Sequence, residues 1–468
     1  MPSKTKIYLE ISERKFLLRM IDMAVTLLAF YVFAKYYSPK LLQVRLLLKA
    51  VWVLVMLLYL NVFAGIFEVY NLQIASKFDE TAPKIVLTSF CTLLFYLLTP
   101  FYTPVLPDSR MAILYLFFAI TLALLIWRFS YSFFLSSPRF YKTYFLIGSP
   151  AEMEIIYNAI ANSGINFKII GFYNTSKTEN LPDTLLPIQD YETKGFDINE
   201  ILAVDDRVAE VIVATNSPEN FSEKEVQSLM NLVEKGYTVR SYHQAYEYLT
   251  HRLPVQYVGK DFYLYFPFSR SNKNKLYLTF SRLLDVITSL IGLFFFIVLI
   301  PFVLLGNVFA NRGSLFYKQV RVGKNALPFT ILKFRTMVKN AESTGAAWAT
   351  KDDSRVTPFG KLMRRMRIDE FPQFINVLRG DMSLIGPRPE RPEFVDMLKE
   401  KIPFYDTRHT IKPGLTGWAQ VNERYGASEA DSLKKLQYDL YYIKHRSWML
   451  DLGIMIKTIT TIIHFRGQ

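Results

Sequence analysis

Four apolar blocks open this chain, at residues 16–34, 46–67, 85–101 and 111–135, and a fifth, 276–305, follows far downstream. Each approaches or exceeds the ~20 residues a helix needs to cross the hydrocarbon core. In lipid every backbone N–H and C=O must be satisfied within its own segment, so blocks of this length are bound to be helices. The first block is followed by Lys35-Tyr36-Tyr37 rather than a small-residue cleavage site, and so reads as an anchor and not a removable leader. Asp22 lies inside it, three residues from Arg19, and the expectation there is a local ion pair near the interface.

The fifth block differs from the others. Lys273, Lys275 and Arg282 introduce it, Asp285 sits in its polar start, and Pro301 interrupts it late. Proline removes one helical hydrogen bond and crowds the preceding turn, so a bend or break is expected at that point. Two arrangements follow: a straight span, or a re-entrant hairpin that enters and leaves on one face. The hairpin is favoured, because a full span would part residues 143–265 from residues 313–468, and both look cytoplasmic. Lys4, Lys6, Arg14 and Lys15 before the first block, and an uncharged third loop at 102–107, agree with a cytoplasmic N-terminus.

The intervening segment changes period. Strands are expected at 144–148, 167–173, 210–214 and 237–242, with helices at 152–162 and 222–235, which is the spacing of a parallel, Rossmann-like sheet. The glycine-rich fingerprint is missing, since Gly148 is followed by Ser149, Pro150 and Ala151. Asn174 stands where a ribose-binding carboxylate is expected. A structural or regulatory role is the default, with nucleotide binding as the alternative. The last stretch, 448–465, reads as an amphipathic helix at a membrane interface. A net charge of +14 on such a chain suits anionic lipid and phosphate ligands rather than nucleic acid, for which no aromatic-basic module is visible. The single cysteine, Cys91, excludes an internal disulfide and a cysteine-rich metal site.

The residues suited to chemistry cluster after position 313. Lys318, Arg321 and Lys324 occupy a strand and turn; Lys333 and Arg335 stand two apart on the next strand, where one face would present both cations to a pyrophosphate. Asp369 and Glu370 follow three arginines, Arg364, Arg365 and Arg367. With Pro372 just after, they are expected at or before the start of a helix near 371, where the dipole favours negative charge. Ordinary capping explains an isolated Asp-Glu, but capping needs none of the arginines. Gly386-Pro387-Arg388-Pro389 fixes a guanidinium on a stiff turn for bidentate phosphate contact. The glycine-rich run 412–422 suits either an anion pocket or a tight structural turn.

Taken in order, Asp285 before a proline-interrupted apolar helix, Lys-Gln-x-Arg-x-Gly-Lys, Lys-Phe-Arg-Thr-Met, Asp-Glu-x-Pro-Gln, Gly-Asp-Met-Ser-Leu-x-Gly-Pro-Arg-Pro and Pro-Gly-Leu-Thr-Gly-Trp-Ala-Gln resemble the bacterial sugar transferases, polyprenyl-phosphate hexose-1-phosphate transferases, in their long form. Tyr438-Asp439-Leu440-Tyr441-Tyr442 fits too, whereas Ile300 stands where serine often precedes the proline, and Glu423 where glycine often follows Val-Asn. The resemblance covers most of residues 275–465.

It implies an α/β membrane protein with four transmembrane helices (1–140), a Rossmann-like cytoplasmic domain (141–268) and a catalytic domain with a re-entrant helix (269–468). It also implies an enzyme of the bacterial inner membrane that moves a sugar-1-phosphate from a UDP-sugar to undecaprenyl phosphate and releases UMP, as a possible homodimer. Asp369 would be the nucleophile, Glu370 the Mg²⁺ ligand, and Lys333, Arg335, Arg364 and Arg388 the phosphate contacts; Pro301 and Asp285 would mark the helix break. The alternative is a membrane-tethered scaffold with a nucleotide-sensing middle domain.

Overall fold

The structure, a computed structural model, describes residues 11–37, 46–103, 110–135, 142–162, 167–175, 181–185, 188–190, 208–215, 221–257, 269–311, 313–338, 341, 353–423 and 428–463. It forms two compact units, Met1–Thr250 and His251–Gln468. The orientation reading rests partly on Lys4, Lys6 and residues 104–107, which lie outside the described residues.

In the first unit the apolar blocks are helices Ile11–Tyr37, Leu46–Ile66, Phe78–Leu98 and Arg110–Ser130. Three have segments long and apolar enough to cross a membrane: Ser12–Tyr37, Phe78–Leu98 and Met111–Phe133. In the other, the described apolar stretch is Ala50–Ile66. Their lipid-facing sides are apolar while several inward positions are polar, including Thr26, Thr88, Ser89, Thr92 and Thr121. Asp22 does not pair with Arg19. It lies on the buried stripe of Leu18, Asp22 and Thr26 and meets Arg128 of the fourth helix at 2.6 Å. Arg19 instead places its guanidinium over the Tyr70 ring, 5.1 Å from the centroid. A carboxylate turned into an apolar bundle needs a counter-charge from whatever helix faces it, and that requirement overrides sequence proximity.

The parallel sheet has the order β3-β2-β1-β4-β5, with β1 Lys142–Gly148, β2 Phe167–Asn174, β3 Gln189–Asp190, β4 Glu210–Ala214 and β5 Thr238–Ser241. Helices Pro150–Asn162 and Glu223–Glu234 lie where the periodicity expects them. Strands covered on both faces read as continuous apolar runs, and β1 is buried along almost its whole length. Gly148 has φ +155, and a Cβ there would come within 1.9 Å of the Ala214 carbonyl oxygen. The residue is needed for close approach of β1 to β4. At the opposite ends of the strands, buried Glu210 takes Lys142 at 2.5 Å and also pairs with Arg240.

The second unit is built on one helix, Lys275–Gly306, continued by a π-turn Asn307–Asn311. Asn274 caps it, its side chain accepting from the amides of Leu276 and Tyr277. Pro301 lies inside the helix and does not end it. One side buries Tyr277, Asp285, Ser289, Gly292, Phe296 and Val303; Phe294, Ile297, Phe302 and Leu305 on the other side are exposed. Against the buried side pack the hairpin β6 (Phe316–Val322) and β7 (Pro328–Phe334), helix Pro358–Arg365, the 3-10 turn Ile368–Gln373 and helix Phe374–Arg379. A parallel pair, β8 Ser383–Ile385 and β9 Gly414–Thr416, follows, and helices Glu429–His445 and Trp448–Ile463 complete the unit. The last bears exposed Trp448, Met449, Leu452, Ile459 and Ile462, as an interfacial helix requires.

The buried Asp22–Arg128 pair makes a checkable demand. Arg128→Leu alone should cost about 3–5 kcal/mol by stranding the carboxylate, and adding Asp22→Leu should recover most of the loss. Thermal unfolding in detergent measures both; a double variant as unstable as the single one would rule out the pair as the cause.

Candidate active site

The site begins with a strained turn. Arg367 has φ 58 and ψ 18, a left-handed conformation costing a non-glycine residue about 1–2 kcal/mol. It ends the helix Pro358–Arg365 and redirects the chain into the 3-10 turn Ile368–Gln373. Asp369 and Glu370 therefore lie in the first turn of that segment, not ahead of a helix starting at 371. Pro372 sits within it, and the segment runs on as Phe374–Arg379.

Glu370 is the electrostatic hub. Its Oε1 takes Lys333 Nζ at 3.4 Å and an Arg388 amine at 3.1 Å, while its Oε2 takes Arg367 at 3.3 Å. Burial pushes this carboxyl upward, but Arg388, Lys333 and Arg367 outweigh it and hold Glu370 well below the usual carboxylate range. Lys333 is lowered by burial, against the pull of Glu370. Asp369 behaves in the opposite sense. Burial and the neighbouring Glu370 charge push it up to about 6, against the attraction of Lys333, Arg364 and Arg367. It is 8% exposed, and its Oδ1 is buried without a hydrogen-bond partner among the described residues. An acceptor oxygen left unpaired amid cations is poised to bond something not yet present.

Of the expected phosphate contacts, the structure brings Lys333 and Arg388 together on Glu370. Arg364 stands beside Asp369 and donates from Nε to Thr336 Oγ1 at 2.9 Å. Arg335 is placed elsewhere: it is buried, donates to the Asn311 carbonyl at 3.0 Å, and packs under Gly313. It ties the end of the long apolar helix to β7. β7 ends at Phe334, so the two-residue alternation of the strand does not carry over to Arg335. Asp285 accepts from Ser383 Oγ at 3.0 Å and the Leu384 amide at 2.7 Å, anchoring the long helix to β8 just before the Gly-Pro-Arg-Pro turn. Pro301 lies about four helical turns from Asp285 and is not at the carboxylate cluster.

The Arg388 turn is held from behind by residues that sequence reasoning missed. Arg408 donates to the Arg388 carbonyl at 3.1 Å, and in buried bonds to Tyr405 at 2.7 Å and Asp439 at 2.7 Å. Asp439 was visible in a motif; its partner, 31 positions away, was not. The glycine-rich run serves close packing as well as the pocket. A Cβ at Gly414 would lie 2.0 Å from the Gly386 amide, and one at Gly417 would lie 2.1 Å from the Gly386 carbonyl oxygen. Gly414 and Leu415 then line a pocket with Arg321, Ile331, Lys333, Gln373, Arg388 and Pro389. Arg321 is oriented there by Gln319 at 3.0 Å and by the Pro389 carbonyl at 3.1 Å.

A Mg²⁺ held by Glu370 does not fit this arrangement. Both its oxygens are engaged by cations, and no group of three or more His, Cys, Asp or Glu assembles among the described residues. Magnesium accepts one or two carboxylates when substrate phosphates supply the rest, and here Asp369, unlike Glu370, keeps a carboxylate oxygen without a partner among the described residues.

A buried carboxylate with an unpaired oxygen, a second carboxylate holding three cations, and an apolar helix packed beside them make a site suited to phosphoryl groups. Residues 276–465 match the family model of the bacterial sugar transferases. An uncharacterized sugar transferase of Bacillus subtilis, EpsL, is 41% identical over 155 residues, 33% of this chain and 73% of that protein. A UDP-glucose:undecaprenyl-phosphate glucose-1-phosphate transferase of Caulobacter vibrioides is 38% identical over 184 residues, 39% of this chain and 69% of that protein. The chain belongs to the bacterial sugar transferase family. A UDP-N-acetylgalactosamine-undecaprenyl-phosphate N-acetylgalactosaminephosphotransferase of Aeromonas hydrophila is 52% identical over 153 residues, 33% of this chain but only 36% of that protein.

The Arg408–Asp439 support predicts its own outcome. Arg408→Leu should lower stability by about 3–5 kcal/mol, since it strands a buried carboxylate and the Arg388 carbonyl. Denaturant titration reads this directly. A loss under about 1 kcal/mol would show that the pair is not what holds the turn.

Proposed function

We propose that this protein transfers a hexose-1-phosphate from a UDP-sugar to undecaprenyl phosphate, releasing UMP and starting the assembly of a surface polysaccharide. The observation that carries this is the unpaired, buried Asp369 oxygen standing next to Lys333, Arg364 and Arg367. In the first half-reaction Asp369 attacks the β-phosphorus. A phosphorus–oxygen bond to the carboxylate forms, the bond to the oxygen bridging the two phosphates breaks, and UMP leaves with that electron pair. In the second, a phosphate oxygen of the polyprenyl carrier attacks the same phosphorus and Asp369 departs as carboxylate. Splitting the transfer lets one site serve a soluble and a membrane substrate in turn. Lys333, Arg367 and Arg388 neutralise the diphosphate, with Glu370 keeping them in place before substrate arrives. Any Mg²⁺ the reaction uses would need substrate oxygens for ligands, since Lys333, Arg388 and Arg367 engage both oxygens of Glu370.

Residues 269–468 form the catalytic domain in this proposal, and the packing of the long helix supports re-entry over spanning. Its 32 residues would extend about 48 Å if straight, against a ~30 Å hydrocarbon core. Yet near its start Tyr277 bonds Asp451, and past its end Asn311 bonds Arg335 and Thr357, all within the same charged unit. A full crossing would drag that unit's ion cluster into lipid, at a cost of several kcal/mol per charge. Shallow insertion instead keeps Asp369 at headgroup depth, where the polyprenyl phosphate lies.

Asp369→Asn should reduce UMP release at least about a thousandfold and abolish trapping of labelled phospho-sugar on the protein, with folding unchanged. Robust turnover by the variant excludes the covalent route, and absence of UMP release from wild type with any UDP-sugar favours the scaffold. The pH profile offers a second check. The nucleophile must be ionised, and its carboxyl is raised to about 6. Activity is therefore complete above that value, and kcat/KM should fall about tenfold per pH unit below it. A profile flat through pH values about one unit lower would assign the nucleophile elsewhere.

A further inference from the structure

One buried polar group of the site has no task in the mechanism above. Gln373 ends the 3-10 turn that carries Asp369 and is 4% exposed. Its side chain lines the pocket shared with Lys333, Arg321 and Arg388. Its Nε2 is buried with no hydrogen-bond partner among the described residues. A donor desolvated and left unpaired is destabilising, so a folded protein that retains one has an acceptor for it in another state. The surroundings limit what that acceptor can be. A pocket walled by a lysine and two arginines excludes a cation and favours an anion rich in oxygens. In a 3-10 turn three residues complete one turn, so Gln373 shares a face with Glu370, three positions before it, and its amide lines the volume walled by the cations Lys333 and Arg388 that Glu370 holds beside Asp369.

We infer that Gln373 donates its Nε2 hydrogen bond to a non-bridging oxygen of the phosphoryl group that Asp369 receives. This rests on the transfer reaction proposed above. A neutral donor suits that position. The site already carries Lys333, Arg364, Arg367 and Arg388 against two carboxylates, and a further cation would hold the diphosphate ground state as firmly as the transition state. An amide instead contributes direction. It selects one of the two non-bridging oxygens and so fixes the face of phosphorus turned toward Asp369.

The test uses the full chain in detergent and a UDP-sugar whose β-phosphate carries sulfur in place of one non-bridging oxygen, each diastereomer separately. Sulfur is a poor acceptor, so wild type should be slowed about 10–100-fold by one diastereomer more than by the other. In Gln373→Met, which keeps the volume and removes the donor, kcat should drop by a similar factor and the difference between diastereomers should vanish. Gln373→Glu, an acceptor of the same shape, should be at least as slow as the methionine variant, and Gln373→Asn should retain part of the discrimination. A purely structural glutamine would lower activity but leave the sulfur discrimination intact, and that result overturns the inference. So does a glutamate variant as active as wild type. Unfolding midpoints close to wild type for the glutamate or asparagine variant keep the comparison valid if methionine disturbs the fold. Should wild type release no UMP from any UDP-sugar, the transfer reading fails by itself. Binding of inorganic pyrophosphate, by calorimetry, then decides the donor: about tenfold weaker binding by the methionine variant supports it, and equal affinities refute it.

Discussion

Glu370 is the charge on which the site depends. Lys333 comes from β7, Arg367 from a left-handed turn and Arg388 from the Gly-Pro-Arg-Pro turn, and each would repel the others without a shared anion. Three segments separated by tens of residues are thereby drawn to one carboxylate. The arrangement is strong because it is buried: in low dielectric the attraction that holds the cations is large, and so is the penalty for losing the anion. The same field sets the character of Asp369. Crowded by burial and by Glu370, it is pushed toward neutrality but kept ionisable near neutral pH by Lys333, Arg364 and Arg367. Two adjacent carboxylates are thus driven in opposite directions, one held ionised as a counter-ion and the other raised toward neutral pH.

The long apolar helix connects this chemistry to the membrane. On the side turned to the domain, Arg282 donates to the carbonyls of Val377 and Leu378, capping the helix that continues the Asp369 turn. Further along, Gly292 lies against the Phe374 ring so closely that a Cβ would sit 2.4 Å from it. Phe296, Val303, Phe334 and Met363 then form a core joining helix, hairpin and active-site turn. A single helix therefore presents an apolar side suited to lipid and a packed side that holds the turn carrying Asp369.

The first unit obeys a different economy. Its sheet has the strand order of a doubly wound fold, with β1 and β4 adjacent where the order reverses. At the C-terminal end of β1, Gly148 is filled by the Ala214 backbone, and the Ser149 amide donates to the Ala214 carbonyl at 3.2 Å. The turn that cradles a dinucleotide in proteins with the glycine fingerprint is here closed by the protein's own main chain. That geometry agrees with a structural or regulatory role for the sheet more readily than with a dinucleotide site.

Local sequence determined the parts of this protein that depend on periodicity and composition. Apolar runs of about 20 residues become helices because lipid leaves the backbone no other partner, and β4 falls on the expected residues, Glu210–Ala214, because a doubly covered strand must be apolar throughout. The clustering of Asp369, Glu370 and Arg388 was legible because unlike charges were packed into one short stretch with a stiff turn. Partner choice was not legible. Asp22 took Arg128, 106 positions away, rather than Arg19 three positions away, because the buried face of its helix points to another helix. Arg335 left the face of Lys333 for Asn311, Arg408 found Asp439, and Gln373 turned into the pocket without a partner. Each of these outcomes depends on which surfaces meet after the chain has folded. Burial then makes the pairing of every charge obligatory, and only the tertiary structure decides with which residue it is made.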